Sequence, residues 1–339
     1  MLTISREYLL AQGVNDRAIQ VSGTEINPET YAICKSDLII KNMRADGMKK
    51  GNTITEDLFA GQHFGFFITN PPYGKSWKED KKRIYHEKQL IDSRYELRLT
   101  NFEGEEEIVD VTPRTSDGQM LFMLEELDKM NPVEMQPQGS RSASVHNGSS
   151  LFTGDAGSGE SNTRRYLIEN DLVDCIVQLP NNVFYNTGIT TYVWLLTNKK
   201  APERRGRVQL IDASQAFDKL RKNLGARNCT IEAYYDTITD IYMRGEEREA
   251  DSETPISSRM FDGDDFRYYS VTVERPLRLR SQFSQLKIDS MLYDSSAEEL
   301  SRRIYDMFGA QVFDGISSED MKDLKEQLTD EDIKVTDKK

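Results

Sequence analysis

The chain has 339 residues, a length sufficient for one large domain or two smaller ones, and its formal net charge is −13. This acidic balance argues against a protein that wraps nucleic acid by itself, because phosphate contacts need clustered Lys and Arg. The apolar runs are too short to span a membrane, and the scattered Cys34, Cys175 and Cys229 favour free thiols in the reducing cytoplasm over a zinc site.

The first 70 residues alternate between helix and strand patterns. TISREYLLAQG predicts a short helix closed by Gly13, and AIQVSGTEIN predicts a strand. Pro28 at a first-turn position opens a second helix, ETYAICKSDLIIKNM. NTITEDLF and HFGFFIT predict the second and third strands. Alternation of this kind predicts an α/β fold, with a mostly parallel sheet and helices on both faces.

The middle of the chain is less regular. Residues 75–115 are charged and irregular, which predicts a long, partly mobile excursion. SDGQMLFMLEELDKM predicts a helix capped by Ser116, with Gln119 at the capping-box position. SRSASVH is a poor, polar strand candidate.

Strong patterns return before residue 214. TRRYLIEND predicts a helix, and LVDCIVQLP, TTYVWLLTN and RVQLIDA predict strands. Beyond Ser214 the pattern becomes mixed helix with many charges. We therefore expect a catalytic domain over residues 1–214 and a C-terminal, mainly helical region with a charged tail over 215–339.

The stretch FFITNPPYGKSW combines a buried strand pattern with an abrupt, rigid loop. The two prolines fix their own φ angles, and Pro72 also holds Pro71 in an extended conformation. The backbone carbonyls of Asn70 and Pro71 are therefore held in fixed directions at the carboxyl end of a strand. Ligands of open α/β sheets bind at that edge.

These residue types suit methyl transfer to a planar amino group. The lone pair of an exocyclic amine is delocalised into its ring, so the nitrogen is a weak nucleophile. The Asn70 side-chain oxygen and the Pro71 carbonyl can accept both N–H hydrogens and expose that lone pair, while Tyr73 offers a stacking face. A base in a duplex must be flipped out to reach such a pocket. Transfer is then a direct in-line attack on a sulfonium methyl, accelerated by positioning and electrostatics.

Two acidic residues precede the motif in the order that an adenosylmethionine-dependent enzyme needs. Glu25 ends the first predicted strand, where a carboxylate can accept both ribose hydroxyls. Asp57 ends the second, where it can accept a hydrogen bond from a purine amino group. Taken alone, Glu25 is equally well a solvated turn carboxylate and Asp57 a helix cap. The predicted cofactor-binding residues are those two, their chain neighbours and the motif asparagine: Glu25, Ile26, Asn27, Asp57, Leu58 and Asn70. The sequence predicts no metal site.

Several segments together resemble the modification subunit of type I restriction-modification systems, a family of adenine-N6 DNA methyltransferases. The segments are GTEINPETYAICKSDLIIK, ITNPPYGKSWKED, TSDGQMLF, LIENDLVDCIVQLPNNVFYNTGITTYVWLLTN and FRYYSVTVERPLRL, over about residues 1–280. The resemblance implies a Rossmann-like fold that uses S-adenosylmethionine, with a catalytic motif at Asn70, Pro71, Pro72 and Tyr73. It also implies a flipped adenine in DNA as substrate, with a separate specificity subunit and a restriction subunit as partners.

One departure from that family concerns the cofactor. The family's glycine-rich loop, with the strand before it, should precede the first helix, but no Gly-x-Gly lies upstream of Glu25. The family's N-terminal helical domain has no counterpart either. We therefore expect an N-terminally truncated chain, a gap between the strands ending at Glu25 and Asn70, and weak or absent adenosylmethionine binding by this polypeptide alone.

Other functions remain open at this stage. Cytosine-N4 methyltransferases, and enzymes that methylate a glutamine amide or a guanine N2 amino group, face the same planar nitrogen. A non-catalytic remnant that docks to partner subunits is an alternative from another class. The missing glycine loop favours that remnant, and the intact motif favours descent from a working enzyme.

Overall fold

A computed structural model describes residues 1–185, 187–274, 298–314 and 317–330. The chain forms two compact units, Met1–Ser270 and Val271–Lys339. The boundary expected near residue 214 lies inside the first unit. The predicted C-terminal region and the segment FRYYSVTVERPLRL extend in part into residues 275–297 and 331–339, which lie outside the described residues.

The strands of the first unit are short. In chain order they are β1 Gly23–Glu25, β2 Met48–Lys50, β3 Phe66–Thr69, β4 Tyr85–His86, β5 Gln89–Leu90, β6 Glu96–Thr100, β7 Glu106–Asp110, β8 Arg141–Asn147, β9 Val173–Gln178, β10 Thr191–Thr197, β11 Arg207–Asp212, β12 Asp218–Leu224, β13 Arg227–Thr230 and β14 Ser257–Asp262.

The α-helices alternate with these strands and continue in the second unit. They are α1 Leu2–Ala11, α2 Pro28–Ile40, α3 Lys78–Ile84, α4 Gln119–Asp128, α5 Ser149–Phe152, α6 Gly159–Glu169, α7 Tyr235–Arg244, and, in the second unit, α8 Glu298–Phe308 and α9 Ser318–Asp330. As predicted, α1 is followed by Gly13 with φ +83°, and α2 begins at Pro28 behind the cap residue Asn27.

A six-stranded mixed sheet in the order β14–β11–β9–β10–β8–β3 organises the first unit. Strands β3, β8, β9 and β11 run in one direction, and β10 and β14 run against them. The predicted α/β architecture is confirmed. Because parallel strands end at the same edge, Thr69, Asn147, Gln178 and Asp212 mark one carboxyl edge of this sheet.

Helices cover both faces of the sheet. On one face α4 and α6 supply Met120, Met123 and Leu167 against Trp194 and Val208. The other face buries a second apolar cluster, which includes Cys175, Val177, Ile211 and the α7 residue Ile241. Burying apolar side chains on both faces stabilises the sheet and fixes its register.

The sheet is interrupted where the sequence predicted a gap. Strand β1 pairs in parallel with β2, and β3 pairs in parallel with β8, but among the described residues the two sheets do not pair with each other. The edge strand β3 leaves Phe66 77% and Ile68 43% exposed, although this apolar run is typical of a buried strand. Glu25 and Asn70 therefore stand on two separate sheets.

The prediction of the second strand was wrong. NTITEDLF forms turns, because the Asn52 side chain accepts the Ile54 amide and the Asn52 carbonyl accepts that of Glu56. The strand that pairs with β1 lies just before it, at Met48–Lys50. An asparagine side chain that bonds its own backbone competes with strand pairing in this way.

The excursion over residues 75–115 is also more ordered than predicted. It contains α3 and the β4–β5 and β6–β7 hairpins. Trp77, Ile84 and Tyr95, each 1% exposed, pack with Leu121 and Leu124 of α4. These apolar residues are spaced too irregularly among charges to predict the cluster from period alone.

Two further predictions need correction, and the weakly predicted strand SRSASVH is confirmed. The cap residue of α4 is Gly118, with no side-chain cap, and Ser116 lies outside the helix. SRSASVH, a poor candidate, is the interior strand β8. The region beyond Ser214 contains strands as well as helix, and β14 pairs with β11 from Arg207↔Asp262 to Asp212↔Ser257.

Candidate active site at the carboxyl edge of the sheet

The Asn-Pro-Pro-Tyr motif lies directly after β3 and folds back on itself. The Tyr73 hydroxyl donates a hydrogen bond to Asn70 Oδ1, so the structure brings these two predicted catalytic residues together. Burial raises the pKa of Tyr73 to about 12, which keeps the hydroxyl protonated as a donor. Pro71 is buried beneath the exposed Asn70.

The two predicted acceptors differ in their present partners. Asn70 Oδ1 holds the Tyr73 hydroxyl, whereas the Pro71 carbonyl accepts no hydrogen bond from any described residue. The Pro71 carbonyl is therefore a free acceptor, and Asn70 Oδ1 keeps one lone pair beside the one that holds the Tyr73 hydroxyl.

A second segment, residues 114–119, holds the far end of the motif. Gly74, at φ +60°, donates its amide to Asp117 Oδ1 at 3.2 Å, and the Gly118 amide donates to the Lys75 carbonyl at 3.1 Å. Trp77 Nε1 donates to the Arg114 carbonyl at 3.0 Å. A Cβ on Gly118 would lie 3.0 Å from Trp77 Cδ1, so any larger residue would require the Trp77 ring to shift by a few tenths of an ångström.

The first predicted cofactor residues lie at the end of β1. Glu25 Oε1 accepts the Asn27 amide at 2.8 Å, and Asn27 Oδ1 in turn caps α2 by accepting the amides of Glu29 and Thr30. Ile26 between them is 58% exposed. This turn fixes the direction of the Glu25 carboxylate and leaves its second oxygen for a ligand.

Asp57 occupies a different environment from the one predicted. It lies in a turn after residues that form no strand, and its Oδ2 forms an ion pair with Lys129 Nζ at 2.8 Å. Its Oδ1 accepts the Phe59 amide at 3.2 Å. The carbonyl of the neighbouring Leu58 accepts Lys49 Nζ at 2.5 Å. Both oxygens of Asp57 thus already have partners within the chain.

Sequence reasoning missed a group of buried polar residues behind the motif. The Glu126 carboxyl group of α4 is hydrogen-bonded to the hydroxyls of Thr69 and Ser142, each at 2.5 Å. Burial raises the pKa of Glu126 to about 7, although the surrounding hydroxyls oppose this shift. Ser144 lies 2.7 Å from the Thr69 hydroxyl and 2.8 Å from Nε2 of His146, whose pKa is lowered to about 3 by burial.

Gln119 joins these residues to the motif. Its Oε1 lies 3.1 Å from His146 Nδ1 and accepts the Asn147 amide at 3.2 Å. Its Nε2 donates to Asp117 Oδ2 at 2.7 Å and to Asn147 Oδ1 at 2.6 Å. One signal could have revealed the group: Ser142, Ser144 and His146 alternate, which places them on one face of a strand.

The rim of this edge includes the turn before β10. Thr190 Oγ1 donates to Asn181 Oδ1 at 2.6 Å, which ties the turn around Gly188 to the segment after β9. Since β10 runs against β9, its beginning lies at the same edge as the end of β3. The segment around Gly188 therefore lies at the rim of this edge.

A cavity of about 550 Å³ lies at the opposite edge, between the amino ends of β9 and β11. It is lined by charged residues, among them Lys200 and Arg207 of the basic cluster KKAPERRGR. Lys200 is bound to Asp171 at 2.5 Å, and Arg204 of the same cluster to Asp174 at 2.7 Å. These internal ion pairs neutralise charges that would otherwise attract an anion.

The described parts of the chain hold neither a metal-binding cluster nor a membrane-spanning helix. They contain no group of three or more His, Cys, Asp or Glu side chains placed to hold a metal ion. None of their helices combines the length and apolar character that crossing a membrane requires.

Curated relatives are methylase subunits of type I restriction enzymes. The MjaIX methylase subunit of Methanocaldococcus jannaschii is 26% identical over 244 residues, which cover 72% of this chain and 39% of the relative. The MpnII methylase subunit of Mycoplasma pneumoniae is 26% identical over 211 residues, which cover 59% and 34%. The chain thus spans between a third and two fifths of the length of these relatives.

Solved structures show the same fold. The methyltransferase subunit of a type I restriction-modification system from Streptococcus thermophilus has a TM-score of 0.55 at 24% identity, covering 72% of this chain and 44% of that one. A chain from a study of complex assembly in the type I system has a TM-score of 0.52 at 17% identity, covering 97% and 60%. At these identities the likeness establishes the fold alone.

The family model described as N-6 DNA Methylase matches residues 1–266, which include both sheets, the Asn70–Tyr73 motif and the polar group behind it. With this match over most of its length, the chain belongs to the N-6 DNA methylase family.

Proposed function

We propose that this chain carries the methyl-transfer site of an adenine-specific DNA methyltransferase, the modification component of a type I restriction-modification complex. The observation that carries the proposal is the pairing of Asn70 with Tyr73 on a proline-fixed loop at the carboxyl edge of the sheet. Membership of the N-6 DNA methylase family favours adenine over cytosine N4, guanine N2 or a glutamine amide.

The mechanism begins with Tyr73. An adenine flipped out of the duplex stacks on its ring. Asn70 Oδ1 and the Pro71 carbonyl then accept the two N6 hydrogens, so the nitrogen lone pair is no longer fully delocalised into the ring. Since the prolines hold both acceptors in place, the loop needs little reorganisation as the nitrogen attacks.

S-adenosylmethionine, when bound, supplies the electrophilic methyl group on its sulfonium. The residues present fit this cofactor in part. Glu25 offers a fixed carboxylate for ribose hydroxyls, with Ile26 and Asn27 beside it. Asp57 must share its carboxylate with Lys129 if it also contacts the adenine ring. Because Glu25 and Asn70 lie on separate sheets, we propose that the polypeptide alone binds the cofactor weakly.

Partners complete the proposed enzyme. The net charge of −13 makes a long DNA contact by this chain alone unfavourable. A specificity subunit would therefore supply both the sequence readout and much of the positive charge, and a restriction subunit would join the same complex. We place this assembly in the cytoplasm, as expected for free thiols.

A non-catalytic subunit is the second candidate, and the interrupted sheet favours it. A chain whose described residues place the motif after β3 and Glu25 on a separate sheet could still dock to partners. Cofactor binding separates the two candidates, because only the enzyme requires it.

The test is methylation of DNA with and without a specificity subunit, in a host that lacks adenine methylation. We expect N6-methyladenine in digested DNA only from the assembled complex, and a loss of about 100-fold or more with Asn70→Ala. Asn170→Ala, which removes an exposed amide at the end of α6, is the matched control and should retain activity. Calorimetric titration with adenosylmethionine accompanies both. An assembled complex that neither binds the cofactor nor methylates DNA would refute the enzyme proposal.

A further inference from the structure

We infer that Glu126 and His146 are positioning residues. They belong to a buried chain of hydrogen-bonded groups, here called the polar chain, which runs Glu126–Thr69–Ser144–His146–Gln119–Asp117. The polar chain holds both ends of the Asn-Pro-Pro-Tyr loop through one shared proton. The inference rests on the proposed function for the purpose of this loop. Its structural content does not depend on methylation and is tested without DNA or cofactor.

The polar chain meets the motif on both sides. Thr69 directly precedes Asn70, and its hydroxyl contacts both Glu126 and Ser144. At the other end Asp117 accepts the amide of Gly74, which directly follows Tyr73. Glu126, Ser144, His146 and Gln119 are each at most 2% exposed, so solvent does not replace a broken contact at low cost.

The positions of the hydrogens follow from the partners. Asp117 Oδ2 can only accept, so it fixes the orientation of the Gln119 amide and makes Gln119 Oε1 an acceptor. His146 Nδ1 must therefore carry a hydrogen, and in the neutral ring Nε2 accepts the Ser144 hydroxyl hydrogen.

Counting the hydrogens along the polar chain then locates the remaining proton. With the Ser144 hydrogen on His146, the 2.7 Å contact between Thr69 and Ser144 requires the Thr69 hydrogen. The 2.5 Å contact between Thr69 and Glu126 then requires a hydrogen from Glu126. Every contact of the polar chain therefore has a hydrogen when the Glu126 carboxyl is protonated. Reversing every hydrogen gives an equivalent chain with the proton on His146, but burial disfavours that charged ring.

Loss of the proton to solvent breaks two contacts of the polar chain. When the Glu126 carboxylate is ionised, the Thr69 and Ser144 hydroxyls, which both hydrogen-bond to it, turn their hydrogens toward it, and Nε2 of His146 loses the Ser144 hydrogen. No hydrogen is left between the Thr69 and Ser144 oxygens, so these oxygens repel and the support beneath Asn70 loosens.

The surroundings of Glu126 contain few charges. The groups that face it from β3 and β8 are the hydroxyls of Thr69, Ser142 and Ser144, together with the neutral His146. The charged neighbours on α4 and at its end are Glu125, which is paired with Arg94 at 2.8 Å, and the cap residue Lys129, which is paired with Asp57 and Asp128. Glu125 favours the protonated form of Glu126.

The test is an NMR titration of the full chain between pH 5 and 9. We expect the Glu126 carboxyl carbon and the Asn70 and Gly74 amides to titrate with one midpoint near 7. Glu126→Gln keeps the side-chain shape but cannot ionise, so this step in both amides should disappear. Glu125→Gln, a matched loss of one carboxylate outside the polar chain, should leave the step in place.

A second variant separates coupling from general stability. Ser144→Ala interrupts the polar chain in its middle, so Glu126 should still titrate while the Gly74 amide no longer follows it. The inference is overturned if the Asn70 and Gly74 amides do not respond when Glu126 titrates, or if Glu126 is ionised throughout the range. It is equally overturned if Glu126→Gln leaves the step unchanged. A chain that never methylates DNA can still give any of these results, so the two proposals fail separately.

Discussion

The opposite protonation preferences of Glu126 and His146 predict how stability depends on pH. Burial raises the pKa of Glu126 from 4.5 to about 7 and lowers that of His146 from 6.5 to about 3. Between pH 4.5 and 6.5 the native pair therefore holds one proton, on Glu126. The unfolded pair also holds one, on the histidine. Since the slope of the unfolding free energy follows the difference in bound protons, this pair contributes almost no slope in that window.

Each single variant uncovers the contribution of the other residue. In Glu126→Gln only His146 remains, so the unfolded state binds more protons and stability rises with pH. In His146→Asn only Glu126 remains, so the native state binds more protons and stability falls with rising pH. Each slope approaches about 1.4 kcal/mol per pH unit, and the two variants diverge by up to about 5 kcal/mol across the window.

Urea unfolding at a series of pH values measures these slopes, with Trp77 and Trp194 as buried fluorescent reporters in the first unit. The comparison is made against the unchanged chain, which cancels the titration of all other groups. Glu125→Gln is the control, and its stability should not rise with pH as strongly as that of Glu126→Gln. Parallel profiles for all four proteins, or slopes of the opposite sign, would refute the assignment of the proton to Glu126.

Three further outcomes are expected from single substitutions. Tyr73→Ala should lower the rate of methyl transfer in the complex by about 10- to 100-fold through lost stacking, whereas Tyr73→Phe keeps the ring and should stay within about threefold. Gly118→Ala places a Cβ 3.0 Å from the Trp77 ring and should lower the free energy of unfolding by about 1–3 kcal/mol, measured by thermal unfolding. The control Gly65→Ala, whose Cβ would have its nearest contact at 3.7 Å, should lower the free energy of unfolding by less than about 1 kcal/mol. Arg94→Ala leaves two carboxylates without their shared, 3% exposed partner and should cost about 3–5 kcal/mol, and a loss under 1 kcal/mol in urea unfolding would contradict that role.

The sequence predicted the parts of the fold that follow a simple period. Strands β9, β10 and β11 are runs of apolar and β-branched residues between turn signals, and α2 begins at Pro28. Their local patterns were therefore sufficient to predict these elements. The motif at Asn70 was also readable, because two adjacent prolines restrict the backbone whatever surrounds them. Local chemistry therefore identified the loop and the strand before it.

The rest depended on contacts distant in the sequence. β8 reads as polar because Ser142, Ser144 and His146 face Glu126, and nothing local indicates that a helix carries their partner. Asp57 was assigned to a strand end, but its position follows from Lys129, 72 residues away. Tertiary partners of this kind override local propensity.

The outer edge of β3 has a consequence for how this protein behaves in concentrated solution. Within the described parts of the chain β3 pairs on one side alone, so its other side presents unpaired backbone N–H and C=O groups, with Phe66 and Ile68 exposed beside them. Any extended peptide that pairs with this edge gains a backbone ladder and covers apolar surface, including the edge of another copy of the chain. The same pairing would stiffen the strand that ends at Asn70. Any such pairing and the geometry of the Asn-Pro-Pro-Tyr loop would thus depend on the same four residues, Phe66–Thr69.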